Sequence, residues 1–442
     1  MASVTDMLNT KDYKLLKETL SDLFPMDIAE MLEDMSQEEV VLLFRILPKD
    51  QAAEVFSYLS SNRRKYVVLA IHGSLLNHIF DELFFDDKID FLEEMPSNVV
   101  KSLLASSLPE DRNLINQFLN YPDNSAGSLM TIEYVDLKKN MTAKQAMDRI
   151  KKIGLDKETI YTCYVLDDTR RLEGIISLKV LVLAQDEQII GDIMDTNVIL
   201  AEAYDDQEEV AEQFMKYDLI AIPVVDGEKR LIGIITIDDI MDVIEQENTE
   251  DFQKMAAISP SDEKYLETGV FTMAKNRIIW LLVLMISATV TGSIITHFEA
   301  LLSSAVVLAA FIPMLMNSGG NAGSQSATMV IRGMALGEIE LSNFTSIIWK
   351  ELRIGFLAGF ILAAVNYIRL SLLDNTDNSI IITVSVTLIL AVISAKILGG
   401  MLPMAAKIFK LDPAIMAGPL ISTILDALTL IIYFGIANVL LF

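Results

Sequence analysis

Cysteine, histidine and basic side chains are scarce in this 442-residue sequence: one Cys (Cys163), three His (His72, His78, His297), and 35 Lys+Arg against 61 Asp+Glu. A single thiol excludes an intrachain disulfide and fits a reducing compartment. With three imidazoles beside it, no thiolate or imidazole cage for a transition metal can be assembled from one chain. The shortage of positive charge is also uneven. Eight of the basic and eight of the acidic side chains lie between Asn276 and the C-terminus, so the whole formal charge of −26 belongs to residues 1–275. Such a segment repels nucleic acid and anionic lipid head groups and draws divalent cations as counter-ions. No phosphate-binding Gly-Lys-Ser/Thr loop, nucleophile–base pair or metal-hydrolase spacing is present, which argues against an enzyme. The polar start (Thr5, Asp6, Asn9, Lys11) predicts that no secretory signal is cleaved.

Apolar runs, by contrast, are abundant. Ile278–Ile295, Leu301–Leu315, Ile354–Leu373, Ile380–Leu402 and Ala414–Leu441 approach or exceed the roughly 20 residues needed to cross hydrocarbon about 30 Å thick. Five crossings put the two ends of the chain on opposite sides. Lys275, Arg277, Arg332, Lys350, Arg353, Lys407 and Lys410 fall on one face and Arg369 on the other. The positive-inside rule then predicts a multi-pass protein of the plasma membrane with its acidic N-terminal part cytoplasmic and its C-terminus outside.

Ahead of the spans, Leu15 to Leu119 carries apolar residues at helical spacing, punctuated by Leu47-Pro48-Lys49-Asp50, Met95-Pro96-Ser97-Asn98 and Leu108-Pro109-Glu110-Asp111. Each break opens a new helix, and Ser36-Gln37-Glu38-Glu39 has the pattern of a capping box. The expectation is an all-α superhelix of short paired helices. Asp86 and Asp90 stand at i and i+4 on one helix face, a like-charge pair that weakens the helix slightly unless a cation bridges it. From Met130 to Ile244 the sequence duplicates itself. Tyr164-Val165-Leu166-Asp167, Leu172 and Gly174-Ile175-Ile176-Ser177 recur as Pro223-Val224-Val225-Asp226, Leu231 and Gly233-Ile234-Ile235-Thr236. An amphipathic helix precedes each set, itself preceded by Met130-Thr131 or Met194-Asp195, so each copy reads β-α-β-β-α. The duplication resembles a tandem pair of CBS modules, an α/β fold that regulates other domains and often binds adenine nucleotides. The resemblance implies a ribose-holding acid three residues after a Ser or Thr. Thr236 with Asp239 meets that pattern, whereas the first copy has Ser177 with Val180. A mostly helical acidic connector, Asp242 to Asn276, with Glu245, Glu247, Glu250, Asp251, Glu263 and Glu267, leads to the membrane.

Two membrane features carry chemistry. Pro313 to Ser326 interrupts the second run with Asn317-Ser318-Gly319-Gly320-Asn321-Ala322-Gly323, and broken polar backbone at membrane depth is tolerated only where it lines water or packs on protein. Asp426 lies about halfway along the last apolar run, where a carboxylate costs at least ~2.5 kcal/mol and is a functional candidate by default. No second buried acid or base is expected beside it.

Asn317–Ser326, Arg332-Gly333-Met334-Ala335-Leu336-Gly337, Lys350-Glu351-Leu352-Arg353 and the Gly418-Pro419, Thr423, Asp426, Tyr433 set together resemble the MgtE family of Mg²⁺ channels, over essentially the whole chain. The resemblance implies a helical superhelix at 1–128, tandem CBS modules at 129–245, a connecting helix at 246–275 and a five-span pore domain at 276–442. It implies a homodimer whose pore on the two-fold axis closes when intracellular Mg²⁺ binds acids between the cytoplasmic domains. Asp426 becomes the selectivity acid, with the backbone at Ser422 and Asn317 and the side chain of Thr328 beside the ion path. The matching sensor acids are Glu54, Asp86 and Asp90; Glu208, Asp218, Asp239 and Asp242; Glu247, Glu250 and Asp251; and Asp412. ATP at the CBS pair, through Thr236 and Asp239, is the further ligand implied. Mg²⁺ prefers hard oxygens and keeps several waters, which suits a pore offering carboxylate, carbonyl and hydroxyl oxygens. The alternatives are a secondary transporter for Mg²⁺ or Co²⁺ driven by an ion gradient, and a nucleotide-sensing membrane receptor without conductance.

Overall fold

The structure, a computed structural model of the chain, describes residues 4–71, 74–261, 265–266, 268–373 and 377–441, so His72, Glu263 and Glu267 lie outside the described residues. The chain divides into two compact units, Met1–Val243 and Ile244–Phe442.

The first unit begins with short helices from Val4 to Phe118, the longest of 10 residues. Proline opens several of them, at or just before the first turn (Pro25, Pro48, Pro96, Pro109), where its missing N–H costs nothing. The capping box at Ser36 forms, the Glu39 carboxylate accepting from the Ser36 N–H at 2.9 Å. Alternate helices pack on one another: Pro25–Glu33 on Lys49–Ser57, that on Ser74–Glu82, that on Ser97–Ser106, and Gln37–Ile46 on Ser61–Ala70. This is the stacking of a superhelix. Helices so short are unstable alone, and a continuous core holds them, including Leu16, Leu20, Ile28, Leu32 and Phe44. Edge-to-face aromatic pairs extend it from Phe44 through Phe56 to Phe91.

Two three-stranded sheets follow, with identical topology. In the first, β1 (Val135–Leu137) pairs parallel with β2 (Thr162–Leu166), which pairs antiparallel with β3 (Leu172–Ser177). In the second, β4 (Ala201–Glu202), β5 (Ala221–Val225) and β6 (Leu231–Thr236) repeat the order. The copies also exchange segments reciprocally. Thr131 bridges to Ile234 and Asp195 bridges to Ile175, so the Met-Thr and Met-Asp segments seen in the duplication each pair with the other copy's last strand. Gly174 and Gly233 make this approach feasible, since a Cβ there would lie 2.7 Å from the Asp195 carbonyl or 2.8 Å from the Thr131 carbonyl.

Among its described residues the second unit holds five helices long and apolar enough to cross a membrane. They are the first span (Val270–His297), second (Ile312–Ala335), third (Phe344–Leu373), fourth (Asn378–Ile408) and fifth (Gly418–Leu441). The fourth packs against the second, third and fifth, whereas the first packs mainly on the fifth. Hydrocarbon gives helices no hydrophobic reason to associate, so contact depends on close backbone approach at small residues. Gly355 and Gly359 let the third span lie on Ile393 and Ile389, and Gly399 lies directly against the Gly323 backbone of the second.

Two expectations are corrected. The backbone of Pro313–Ser326 is not broken: the second span is continuous helix from Ile312 to Ala335, with Pro313 in its first turn. Its glycines pack against neighbouring helices, and the irregular stretch precedes it as a 3₁₀ segment, Val306–Phe311. The connector helix begins at Ile237, inside the second α/β copy, and ends at Met255, not near residue 275. Pro260 disfavours helical backbone just beyond, and the chain turns back so that the Ser259 N–H donates to the Asn276 carbonyl at 3.0 Å.

Candidate functional site

The second and fifth spans meet along a polar seam. Asn317, Asn321, Ser324 and Thr328 recur at i, i+4, i+7 and i+11 on one face of the second span, and Asn317, Asn321 and Thr328 are exposed. Facing Gly320 are Ser422 and Asp426 of the fifth: a Cβ at Gly320 would lie 3.5 Å from Ser422 Oγ and 3.8 Å from Asp426 Oδ1. Ser324 Oγ is 3.4 Å from Ser422 Oγ. Asp426 is half-buried, and among the described residues no donor bonds to its carboxylate. Ser422 and Asn317 lie in regular helix, so their carbonyls are committed to helix hydrogen bonds and their side-chain oxygens are the freer ones.

The expectation that no other buried ionisable group accompanies Asp426 is overturned. Glu351 on the third span and Lys396 on the fourth are both buried beside the second. Lys396 was legible as a lone cation inside an apolar run; Glu351 sits among the charges at the membrane edge, and only packing shows that it turns inward.

A second site forms in the first unit, where the helix Phe85–Glu94 meets the α/β pair. Asp86, Asp87 and Asp90 lie within electrostatic reach of Asp239, with Glu133, Glu158 and Asp238 crowding the same junction. Burial raises Asp86 well above the ordinary carboxylate range, with Asp239 adding repulsion. Asp90, at the solvent-facing edge but walled by protein, is lifted to about 7 by desolvation and then by Glu93 and Asp87. Burial pushes Glu158 up to about 7 and Asp239 to about 6, each with Asp238 beside it. The Thr236 hydroxyl bonds Asp238 and also donates to Asp239 Oδ2 at 2.9 Å. One oxygen of Glu158 is buried without a partner. Among the described residues no three acids converge as a ready cage for a bare ion. A hydrated ion bridging separate carboxylates is what this spacing suits. Sequence reasoning found Asp86, Asp90 and Asp239. It missed Asp87 and Asp238, whose acidic doublets were a signal, and Glu133 and Glu158, which only the fold brings in.

The other sensor candidates lie apart. Glu54 is exposed on the helix Lys49–Ser57. Glu208 and Asp218 stand at opposite ends of the helix Gln207–Tyr217, with Asp218 in left-handed backbone at φ 51°, and Asp242 is exposed on the connector. In the second unit, Lys254 of the connector bonds Glu250 and also donates to Asp412 Oδ2 at 2.5 Å. Burial opposes its charge, but those two partners outweigh burial and hold it above the ordinary lysine range. Asp251 is lifted to about 6 by burial and then by Asp412. Glu250 and Asp412 thus already share an ammonium.

Among the described residues, a helical superhelix, a tandem α/β pair and five apolar helices of membrane length with a polar seam define a multi-pass membrane protein with a large part outside its spans. Three family descriptions match the chain: the MgtE intracellular N domain over 23–124, the CBS domain over 190–246, and MgtE, divalent cation transporter, over 312–436. The chain is 34% identical to the magnesium transporter MgtE of Thermus thermophilus across 446 residues, 99% of this chain and 98% of that one. It is 33% identical to the Bacillus subtilis magnesium transporter MgtE, covering 96% and 93%. The cytosolic domain of the Mg²⁺ channel MgtE, crystallised with ATP, superposes at a TM-score of 0.53 with 33% identity, covering 55% of this chain and 98% of that one. The soluble part of a magnesium transporter does so at 0.52 with 29% identity, covering 55% and 96%. The chain belongs to the MgtE family.

Because burial raises the folded-state pKa of Asp90, Glu158 and Asp239 above their unfolded values, the stability these groups lend is present when they are protonated and lost as pH rises through about 6 to 7. In cation-free buffer, the protection of the helix Phe85–Glu94 against hydrogen exchange, taken relative to the intrinsic rate at each pH, should therefore fall between about pH 5.5 and pH 8. Millimolar Mg²⁺ should restore it far more at the higher pH, where the carboxylates are ionised. Protection factors indifferent to both pH and Mg²⁺ would show that the acids are merely solvated.

Proposed function

We propose that this chain transports Mg²⁺ as a homodimeric channel of the plasma membrane, with its acidic unit cytoplasmic and its opening controlled by intracellular Mg²⁺. The observation that carries the reading is Asp426, a carboxylate to which no donor among the described residues bonds, set against Gly320 and beside Ser422 and Ser324 on a polar seam between two spans. In a dimer two such acids supply about −2 to a hydrated divalent ion, attractive enough to admit it and loose enough to release it. Near-full-length similarity to magnesium transporters supports the ion's identity. In Mg²⁺ flux measured on purified protein in liposomes, Asp426→Ala should lower the rate at least about tenfold while insertion is unchanged. Full, selective flux in that variant would refute the pore assignment. The buried Glu351 and Lys396 also keep a gradient-coupled carrier in play, because such a carrier needs ionisable partners. Flux that rises with an imposed proton gradient at fixed Mg²⁺ would select it over the channel.

Gating follows from the acid junction. Without cations the carboxylates repel, and Mg²⁺ bridging them holds the cytoplasmic domains together and closes the pore through the connector. High Mg²⁺ should protect residues Glu247 to Lys254 from protease, and neutralising Glu247, Glu250 and Asp251 together should leave flux running at high internal Mg²⁺. Cleavage indifferent to Mg²⁺, with normal closure in the triple variant, would remove the connector from the gate.

The second α/β copy is also read as an adenine-nucleotide site, supported by the ATP-bound relative and by the Thr236 to Asp239 hydrogen bond that orients this acid. Calorimetry without Mg²⁺ should find about one ATP per chain in the parent and none in Asp239→Ala. No heat in the parent would discard the site.

A further inference from the structure

Glu351 and Lys396 are buried inside the third and fourth spans, and conduction past Asp426 makes no use of them. Glu351 is 8% exposed and Lys396 7%. Both line a cavity of about 750 Å³ shared with Asn321, Ser324, Gln325 and Thr328. Each is tied to the second span. The Ser326 hydroxyl, itself 2% exposed, donates to Glu351 Oε2 at 2.6 Å, and the Lys396 ammonium donates to Gln325 Oε1 at 3.1 Å. Glycines make room for both stems: a Cβ at Gly400 would lie 3.2 Å from Glu351 Cγ, and one at Gly355 would lie 3.3 Å from Lys396 Cβ. The two charges feel each other across the cavity without forming a direct ion pair.

Ser326 is six residues past Gly320, which is about 9 Å along the helix from the level of Asp426. The charges therefore stand in the wall of the proposed ion path, at another depth. Alone, a buried Glu351 would be a second cation trap in series with Asp426; alone, Lys396 would repel every cation approaching it. Charges at membrane depth persist where they are paired or used. We infer that Lys396 is a tethered counter-cation that cancels Glu351, leaving Asp426 as the one net charge that each chain presents to the ion. The pair acts as a positioning and charge-balancing device, and the inference rests on the Mg²⁺-conducting reading for its flux readout.

The test measures Mg²⁺ flux against Mg²⁺ concentration in liposomes, at matched protein, for Lys396→Met, Glu351→Gln, the double variant and Lys396→Arg. Lys396→Met should half-saturate at Mg²⁺ at least about fivefold lower and with a lower maximum, because the uncompensated carboxylate holds the ion. Glu351→Gln should half-saturate at least about fivefold higher. The double variant should return to within about twofold of the parent, and Lys396→Arg should stay there. Half-saturation that is unchanged, or shifted the same way in both single variants, would overturn the inference, since a packing role predicts lost yield and rate without opposed shifts. If either single variant fails to insert, thermal melting and yield of the double variant decide. Recovery beyond both singles supports charge cancellation, and a double variant no better than the worse single overturns it. A parent that conducts no Mg²⁺ would defeat the proposed function instead, while the melting comparison would still read the pair.

Discussion

Repulsion among carboxylates that folding brings together is the constraint on which the first unit turns. At an effective dielectric near 20, two ionised acids about 5 Å apart cost roughly 3 kcal/mol before screening. The junction of the helix Phe85–Glu94 with the α/β pair gathers Asp86, Asp87, Asp90, Glu133, Glu158, Asp238 and Asp239, and the nearby Arg64 offsets only part of their charge. Aromatic packing from Phe44 to Phe91 and the hydrogen bond from the Phe85 N–H to Glu133 hold this helix where its acids conflict. An arrangement of this kind is more stable with protons or external cations present than without them. A protein whose cargo is a divalent cation has that partner available by definition.

The membrane unit meets the opposite difficulty: few charges, each costly to leave without compensation. Continuous helices satisfy the backbone, so polarity reaches the interior through side chains alone. Glycine governs where it can do so. Gly320 opens the second span to Ser422 and Asp426, while Gly323 against Gly399 brings the second and fourth spans close enough for Lys396 to reach Gln325. The glycine-rich segment is therefore a packing surface with a polar stripe on its exposed face, and the helix need not unwind to line an ion path.

The sequence made the architecture legible because its signals were periodic and strong. The duplication, the proline punctuation and the five apolar runs each report a local rule that tertiary contacts did not override. Asp426 was legible for the same reason, as an acid in an apolar helix. The misses share a different cause. Three glycines and several amides read as a break, yet helix packing in lipid favours small residues. Glu133 and Glu158 have no motif, since their place in the acidic junction depends on where two non-adjacent segments dock. Lys396 was visible in the sequence, but its meaning depends on a partner, Glu351, that looks like an interfacial charge until the third span is packed on the fourth.

On the proposed reading of Mg²⁺ gating, the route from cation to pore is narrowed by asking which acids still need a cation. Lys254 already serves Glu250 and Asp412, so that corner of the connector has its positive charge built in. The Met255 carbonyl lies against Gly418, whose φ of +56° begins the fifth span, so the end of the connector touches the helix that carries Asp426. This contact needs no metal, and it suits a fixed lever better than a sensor. In that proposal the cation-dependent free energy falls to the acids that, among the described residues, have no ammonium bonded to them: the junction of Asp86, Glu158 and Asp239, and Asp251 on the connector, which feels Lys254 only at a distance. Swinging a two-state gate from 1:99 to 99:1 takes about 5.5 kcal/mol of differential binding. Distributed over several weak sites in two chains, that is of order 1 kcal/mol per ion, which hydrated Mg²⁺ shared between separated carboxylates can supply without a tight cage.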